Sequence, residues 1–211
     1  MITHFKNRIE AGQKLAGKLA AYKNSKYTII LGLPRGGIPV AHEVAKLLHL
    51  PPLDALIVRK LGVPGHRELA IGAIAVGGLA VFNQEIIESL NITDEAIKSV
   101  INEEKDELER RNKLYRGCKP PPEIKGKTII LVDDGLATGA TMRAAVKALR
   151  KGEAKKIIVA VPVGSPITCD ELSREADELI CLLKPENFSA VGQFYQDFTE
   201  TTDKETQTLL K

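Results

Sequence analysis

Two adjacent carboxylates precede a run of small and hydroxyl-bearing residues in the segment ILVDDGLATGAT, residues 130–141. The acids are Asp133 and Asp134, and the run after them contains Ala137, Thr138, Gly139, Ala140 and Thr141. Apolar periodicity predicts that a helix begins within this run and spans 139–151. The first turn of a helix has unpaired backbone N–H groups and the positive end of the helix dipole. Small side chains let a phosphate approach that backbone, and hydroxyls add hydrogen bonds, so the run predicts a phosphate site.

The acid pair must contact another part of the same ligand, because carboxylates repel a phosphate. Carboxylates accept hydrogen bonds from neighbouring hydroxyls, or they hold a divalent cation through water. A ligand with a phosphate at one end and a diol in its middle is a ribose 5-phosphate, and the spacing predicts this class of ligand. The chain has neither a nucleotide P-loop nor a G-x-G-x-x-G motif. The alternative is a chance acidic strand end before an ordinary helix cap.

A second loop suited to phosphate groups lies in the segment GLPRGGIPVA, residues 32–41. Gly36 and Gly37 expose backbone N–H groups, and the Arg35 guanidinium offers a fork of donors that matches phosphate oxygens. An ordinary turn between a strand and a helix is the alternative interpretation. Because the loop is expected beside the first site, we favour pyrophosphate binding.

A third segment, VRKLGVPGHRE, brings further cations after a predicted strand over 53–58. Arg59 and Lys60 lie at the carboxyl end of that strand, where they could reach a pyrophosphate. Residues 59–69 are rich in glycine, proline and charge, and we predict a mobile loop there. Its His66 is a candidate proton donor, although a loop histidine is more often simply solvated.

The elements that must position these loops alternate between strands and helices. Short apolar runs predict strands over 27–33, 53–58, 127–132, 155–163 and 177–183. Helical periodicity and caps predict helices over 4–22, 38–50, 93–115 (capped by Thr93) and 139–151, with another starting at Ser165-Pro166. Residues 70–82 predict two strands that turn at Gly77-Gly78. This order indicates an α/β fold with a doubly wound, mainly parallel sheet, in which ligands bind beyond the carboxyl ends of the strands.

The opening segment resembles the signature of the type I phosphoribosyltransferase family. That signature is four apolar residues, two acids, two variable residues and a Thr/Ser-rich turn with a central glycine, and residues 129–141 match it in that order. Ala137 departs from the pattern, because members usually carry a hydroxyl there. This loses one possible phosphate contact and spares the backbone donors. The resemblance covers roughly residues 27–183 in strand and loop order.

The resemblance implies an Mg²⁺-dependent enzyme that moves the 5-phosphoribosyl group of 5-phosphoribosyl 1-pyrophosphate (PRPP) to a nitrogen acceptor, with a nucleobase expected. It implies that 137–141 hold the 5-phosphate. Asp133 and Asp134 would hold the 2- and 3-hydroxyls and face the metal through water. Pyrophosphate and its Mg²⁺ would be held by Arg35, Gly36, Gly37, Arg59 and Lys60. In the family the second loop often contains a cis peptide, and the third closes over the site.

The expected organisation is a single domain over 1–211 with a core at about 27–183 and an insertion at about 70–123. A hood formed by 1–22 and 185–211 would select the acceptor. The hood holds four aromatic residues, Phe188, Phe194, Tyr195 and Phe198. Their rings could stack on a base, but we favour packing against the N-terminal helix through Phe5 and Ile9.

Composition limits the partners. The formal charge of +3, from 30 basic and 27 acidic residues, is too balanced to indicate nucleic acid. Three distant cysteines indicate a reducing compartment. No signal-peptide pattern opens the sequence, and the longest uncharged run, 69–84, is too short to span a bilayer. We expect a cytoplasmic, soluble protein that binds neither nucleic acid nor membranes. The resemblance to the family also implies that the protein forms a homodimer.

Two alternatives from other classes stay open. The first is a non-catalytic regulatory protein of the same fold that senses PRPP. Against it, the sequence shows no helix-turn-helix appendage, and the helix predicted over 93–115 mixes both charge signs. The second is a hydrolase of phosphorylated sugars that uses the acid pair, which would not need Arg35, Arg59 and Lys60.

Overall fold

The computed structural model describes residues 3–51, 53–63 and 66–211, with the backbone alone at 66–69. Within these residues the strands are β1 (Thr28–Gly32), β2 (Asp54–Ala55), β3 (Val58–Val63), β4 (His66–Ala75), β5 (Leu79–Phe82), β6 (Thr128–Val132), β7 (Lys156–Val163) and β8 (Glu178–Leu183). The α-helices are α1 (Arg8–Lys18), α2 (Gly37–Leu48), α3 (Gln84–Ser89), α4 (Asp94–Arg116), α5 (Ala140–Lys151), α6 (Pro166–Glu175) and α7 (Asp203–Leu209). Short 3-10 helices span Ala20–Tyr22 and Val191–Phe194.

A five-stranded parallel sheet in the order β2-β1-β6-β7-β8 forms the centre of the fold. Successive side chains of a strand point to opposite faces, and here both faces are covered. Ile130 belongs to the same buried cluster as Leu15 of α1, whereas Leu131 belongs to a second cluster with Leu149 of α5, and all four side chains are fully buried. The predicted doubly wound, mainly parallel sheet is therefore confirmed.

Most predicted elements lie within a few residues of their observed bounds. The strands predicted over 27–33, 127–132, 155–163 and 177–183 are β1, β6, β7 and β8. The helices predicted over 38–50, 93–115 and 139–151, and at Ser165-Pro166, are α2, α4, α5 and α6. The cap of α4 is also confirmed, since Thr93 Oγ1 accepts the N–H of Ala96 at 3.3 Å.

The strand predicted over 53–58 is confirmed only for Asp54–Ala55, and the loop predicted over 59–69 was wrong. Residues Asp54–Ala55 form β2 in the parallel sheet, and Val58 already begins β3 in a second sheet. The predicted loop is largely an antiparallel hairpin of β3 and β4, with a register irregularity around Gly62. Leu61 and Val63 are buried there, so packing outweighs the glycine and charge that indicated a loop. Residues 64 and 65 lie outside the described residues, as does the hypothesis about the His66 side chain.

A second sheet, β3-β4-β5, lies between α4 and α5. The predicted hairpin over 70–82 is confirmed, because β4 and β5 pair antiparallel. Its turn contains Gly77 and Gly78 at φ values of +90 and +77, where glycine is favoured. Leu108 of α4 is buried in the cluster that covers one side of this sheet.

The N-terminal helix is shorter than the predicted 4–22. It begins at Arg8, after Asn7, whose Oδ1 accepts the N–H of Glu10 at 3.0 Å. The preceding Phe5 forms a bridge with Tyr195 and is fully buried. Packing of the C-terminal aromatics against the N-terminal segment is thus confirmed for Phe5. It is wrong for Ile9, which is 50% exposed.

Candidate functional site

Two of the predicted loops, those after β1 and β6, leave the same edge of the parallel sheet. Gly32 at the end of β1 pairs with Val132 at the end of β6, and the N–H of Leu33 donates to Val132 O at 2.9 Å. A Cβ at Gly36 would overlap Asp134 Oδ2, and one at Gly37 would lie 2.7 Å from Val132 O. The glycine turn therefore packs directly on the acid pair, which a larger residue at either position would displace.

The same turn contains a cis peptide bond between Pro34 and Arg35, the feature that the resemblance led us to expect. The Arg35 guanidinium forms an ion pair with Glu200, and its Nη1 lies 3.9 Å from Asp203 Oδ1. Both acids belong to the C-terminal segment. Arg35 thus lies at the predicted edge and contacts carboxylates of this chain.

The acid pair has a defined hydrogen-bond pattern. Asp133 Oδ1 accepts the N–H of Asp134 at 2.9 Å, and Asp134 Oδ2 lies 2.8 Å from both Nε and Nη2 of Arg8. The hydroxyl of Tyr195 donates to the backbone oxygen of Asp134 at 2.7 Å. Among the described residues, Asp133 Oδ2 and Asp134 Oδ1 accept no hydrogen bond. One oxygen of each acid is therefore available to a ligand.

Burial changes the acidity of both groups. It raises the pKa of Asp133 well above its ordinary value, and the neighbouring charge of Asp134 raises it further. Burial also raises the pKa of Asp134, although the Arg8 guanidinium opposes that change. Hydrogen-bond donors or a cation would favour the charged forms. The pair is therefore suited to ligand hydroxyls or to a divalent ion.

The carboxylates of the site provide few ligands for a divalent metal. No group of three or more His, Cys, Asp and Glu side chains with metal-ligand geometry occurs in the described part of the chain. Mg²⁺ usually keeps several waters and takes one or two carboxylates together with substrate phosphates. Asp133 and Asp134 fit that mode of binding, with the phosphates supplying the remaining ligands.

The turn between β6 and α5 surrounds a hollow of about 160 Å³, lined by Asp133 and residues 135–142. Two backbone oxygens of this turn accept hydrogen bonds from side chains. Thr168 Oγ1 donates to Ala137 O at 2.6 Å, and Arg143 Nη2 donates to Thr138 O at 2.8 Å. Among the residues described, the six backbone N–H groups from 137 to 142 have no hydrogen-bond acceptor. Such a run of donors at a helix start favours an anion.

Arg59 and Lys60 line a larger cleft of about 720 Å³ between β3 and α4. Pro34 and Thr141 also line this cleft, so it is continuous with the cis-peptide turn and the phosphate turn. Arg59 Nε donates to Glu104 Oε2 of α4 at 2.6 Å. The predicted cations thus line a cleft that reaches both turns, and Arg59 is held there by α4.

Four residues that contact the site were missed from the sequence: Arg8, Thr168, Tyr195 and Glu200. Each lies far along the chain from the loop that it contacts; Arg8 and Asp134, for example, are 126 positions apart. None belongs to a local motif, so no signal in one sequence identifies them. The described helices also include none that is both long and apolar enough to cross a membrane.

The open parallel sheet flanked by helices is the fold of type I phosphoribosyltransferases. A family model described as "Phosphoribosyl transferase domain" matches residues 1–199, and the chain belongs to this family.

The relatives agree with this assignment. A Mycobacterium tuberculosis H37Rv protein described as a "putative phosphoribosyl transferase" is 43% identical over 201 residues, which are 95% of this chain and 45% of that protein. The chain thus spans about half the length of this relative. The crystal structure of the Thermus thermophilus protein TT1426 is 38% identical with a TM-score of 0.88, covering 98% of this chain and 97% of the other. A hypoxanthine phosphoribosyltransferase from Staphylococcus aureus shares the fold alone, at 12% identity and a TM-score of 0.51, covering 88% and 78%.

Proposed function

We propose that the protein transfers the 5-phosphoribosyl group of PRPP to a nitrogen acceptor, expected to be a nucleobase, and releases pyrophosphate with the help of Mg²⁺. One observation carries the proposal. The six N–H groups from 137 to 142 and the available oxygens of Asp133 and Asp134 lie at the same sheet edge. This arrangement offers donors to a phosphate and acceptors to a diol.

The phosphate end of PRPP would bind in the hollow lined by 135–142. Anions bind at helix N-termini because unpaired N–H groups point at them and the helix dipole favours negative charge. The exposed hydroxyls of Thr138 and Thr141 add donors. Ala137, Gly139 and Ala140 contribute backbone and space, so the missing hydroxyl at Ala137 removes one contact of several.

The pyrophosphate end would lie toward Arg35, Gly36, Gly37, Arg59 and Lys60. In this orientation Arg35 and Arg59 exchange Glu200 and Glu104 for phosphate oxygens. Partly exposed ion pairs contribute only about 0–1 kcal/mol, so the exchange costs little. Mg²⁺, when bound, would neutralise charge on the leaving group.

In the reaction itself, the bond from the anomeric carbon to pyrophosphate breaks, and its electron pair leaves with pyrophosphate. A bond from the acceptor nitrogen to that carbon forms, and the proton of the acceptor passes to water. The ribose carries positive charge in between. Asp133 and Asp134, fixed at the ribose hydroxyls, stabilise that charge, and Arg59 and Lys60 stabilise the departing anion.

A second candidate function is a PRPP-binding regulator without turnover. The ion pairs of Arg35 with Glu200 and of Arg59 with Glu104 favour it, because a site that keeps these pairs would hold the sugar phosphate without assisting the departure of pyrophosphate. Both candidates require PRPP binding, and they differ in pyrophosphate release.

The test combines calorimetric binding of PRPP with an assay of pyrophosphate release, using Mg²⁺ and a panel of nucleobases. We expect Asp133→Asn with Asp134→Asn to abolish binding, while the exposed Asp106→Asn on α4 serves as the matched control. Binding without release for any base would favour the regulator. A wild-type protein that does not bind PRPP would refute both.

We also propose, on the sequence arguments and the resemblance, that residues 1–211 act as one domain within a cytoplasmic homodimer that binds no nucleic acid. Sedimentation equilibrium tests the dimer. A shift assay with duplex DNA and single-stranded RNA at two salt concentrations tests the last point.

A further inference from the structure

The side chain of Arg8 reaches the acid pair from the first turn of α1. Its Nε and Nη2 both lie 2.8 Å from Asp134 Oδ2, and its Nη1 donates to Thr199 O at 2.7 Å. Its guanidinium carbon lies 4.0 Å from the centre of the Phe198 ring. The side chains of Arg8 and Asp134 are only 11% and 15% exposed. Every nitrogen of the guanidinium is therefore committed to a partner.

These contacts occupy one oxygen of each of the two carboxylates. Asp134 Oδ2 is enclosed between Arg8 and the position that a Cβ would take at Gly36, while Asp133 Oδ1 faces Gly37 and accepts a backbone N–H. One oxygen remains on each acid. Two oxygens on adjacent residues match the two adjacent hydroxyls of a ribose.

We propose that Arg8 is a positioning residue, which fixes the Asp134 carboxylate so that Oδ1 alone faces the sugar hydroxyl. The proposal rests on the function proposed above. The terminal torsion of an aspartate is broad, so a carboxylate without this grip would sample several orientations. Two donors on one oxygen, with the glycine turn behind it, restrict the rotation before the ligand arrives.

The surroundings of Arg8 indicate that it stays in place when ligand binds. Asn7 caps α1 directly before it, and Phe198 and Thr199 hold the guanidinium from the C-terminal segment. If Arg8 acted instead as a latch, a side chain that moves away when ligand binds, it would have to break the contacts with Phe198 and Thr199. Arg35 differs, because its partner Glu200 is 76% exposed.

The experiment compares three ligands on four proteins. Calorimetry gives the Kd of PRPP, of ribose 5-phosphate and of pyrophosphate for wild type, Arg8→Met, Arg8→Lys and the control Lys18→Met, which removes a charge from an exposed position on the same helix. We expect Arg8→Met to raise the Kd of the two ribose ligands about tenfold or more. Pyrophosphate, which has no diol, should bind unchanged. Arg8→Lys should recover part of the loss.

Each alternative gives another pattern. If Arg8 had a merely structural role, Arg8→Met would weaken the binding of all three ligands by a similar factor. If Arg8 were a latch, Arg8→Met would bind PRPP more tightly. Either result would overturn the inference, as would unchanged binding of all three ligands. If Arg8→Met does not fold, the ratio of PRPP to pyrophosphate affinity in Arg8→Lys decides between the same outcomes. A wild type that binds neither ribose ligand would refute the proposed function itself.

Discussion

Replacing Gly139 with alanine tests how tightly the turn between β6 and α5 is packed. Gly139 has a φ of +70, a conformation that costs an L-residue about 1–2 kcal/mol. A Cβ there would lie 2.5 Å from Thr168 Cγ2 and 3.3 Å from Leu172 Cδ1. Both side chains are buried, so crowding adds about 1–3 kcal/mol. We expect Gly139→Ala to lower the free energy of unfolding by about 2–5 kcal/mol.

Thr168→Ser separates the two contributions. Serine removes the crowded methyl group but keeps the hydroxyl that donates to Ala137 O. The cost of Gly139→Ala should therefore be about 1–2 kcal/mol smaller in the Thr168→Ser background than in wild type. The remainder is the cost of the backbone conformation and of the contact with Leu172.

Urea unfolding followed by circular dichroism measures all four proteins of this cycle. Gly17→Ala is the matched control, because Gly17 lies in α1 with no atom within 4 Å of a new Cβ, and it should stabilise by about 0.5–1 kcal/mol. A Gly139→Ala cost that is below about 1 kcal/mol, or the same in both backgrounds, would refute the reasoning.

Three further predictions concern the acid pair and its neighbours. Tyr195→Phe removes the donor to Asp134 O and should lower the free energy of unfolding by about 1–2 kcal/mol in urea titrations; no change would mean that water replaces the hydroxyl. Because the pKa of Asp133 is raised by burial, its contribution to stability is largest below the ordinary value of 3.8 and is lost as pH rises toward the folded pKa. The difference in unfolding free energy between Asp133→Asn and wild type should therefore grow with pH, and a constant difference would contradict the raised pKa. Glu104→Gln releases Arg59 and should tighten pyrophosphate binding up to about fivefold in calorimetry; weaker binding would show that Glu104 positions Arg59.

The central sheet was predictable because its strands are buried on both faces. β6 and β7 read as continuous apolar runs, and few other structures accommodate such runs between helices. The acid pair could be placed with them, since Asp133 follows β6 directly. At the end of β6 the residue types of the loop and its position in the sheet both indicate a ligand site, so the segment 130–141 alone was enough to predict it.

The hairpin of β3 and β4 could not be predicted from the sequence in this way. Leu61 and Ile71 are fully buried within it, and α4 and α5 pack on either side of it. Gly62 and the charged Arg59 and Lys60 are typical of loops when they are considered alone. Tertiary packing overrides that local preference, and a single sequence does not contain the contacts that do so.

The site was incompletely predictable for a related reason. A motif reports on residues that are neighbours in sequence, whereas Arg8 and Tyr195 reach Asp134 from opposite ends of the chain. Their positions depend on the bridge between Phe5 and Tyr195. That bridge joins residues 190 positions apart, so the contacts follow from the fold rather than from any local pattern.

The ion pairs at the site differ in how far they are exposed to solvent, and this difference indicates different roles. The pair of Arg8 and Asp134 is almost enclosed, whereas Arg35 is 38% and Glu200 76% exposed. Breaking an enclosed pair leaves a buried charge without compensation and is costly, while an exposed pair exchanges partners for about 1 kcal/mol or less. A highly charged ligand can therefore displace Glu200 from Arg35, but it has to accept Asp134 as Arg8 holds it. Under the proposed function, the exposed pair would act at the pyrophosphate end, where a group must arrive and leave, and the enclosed pair would act where the sugar must stay fixed.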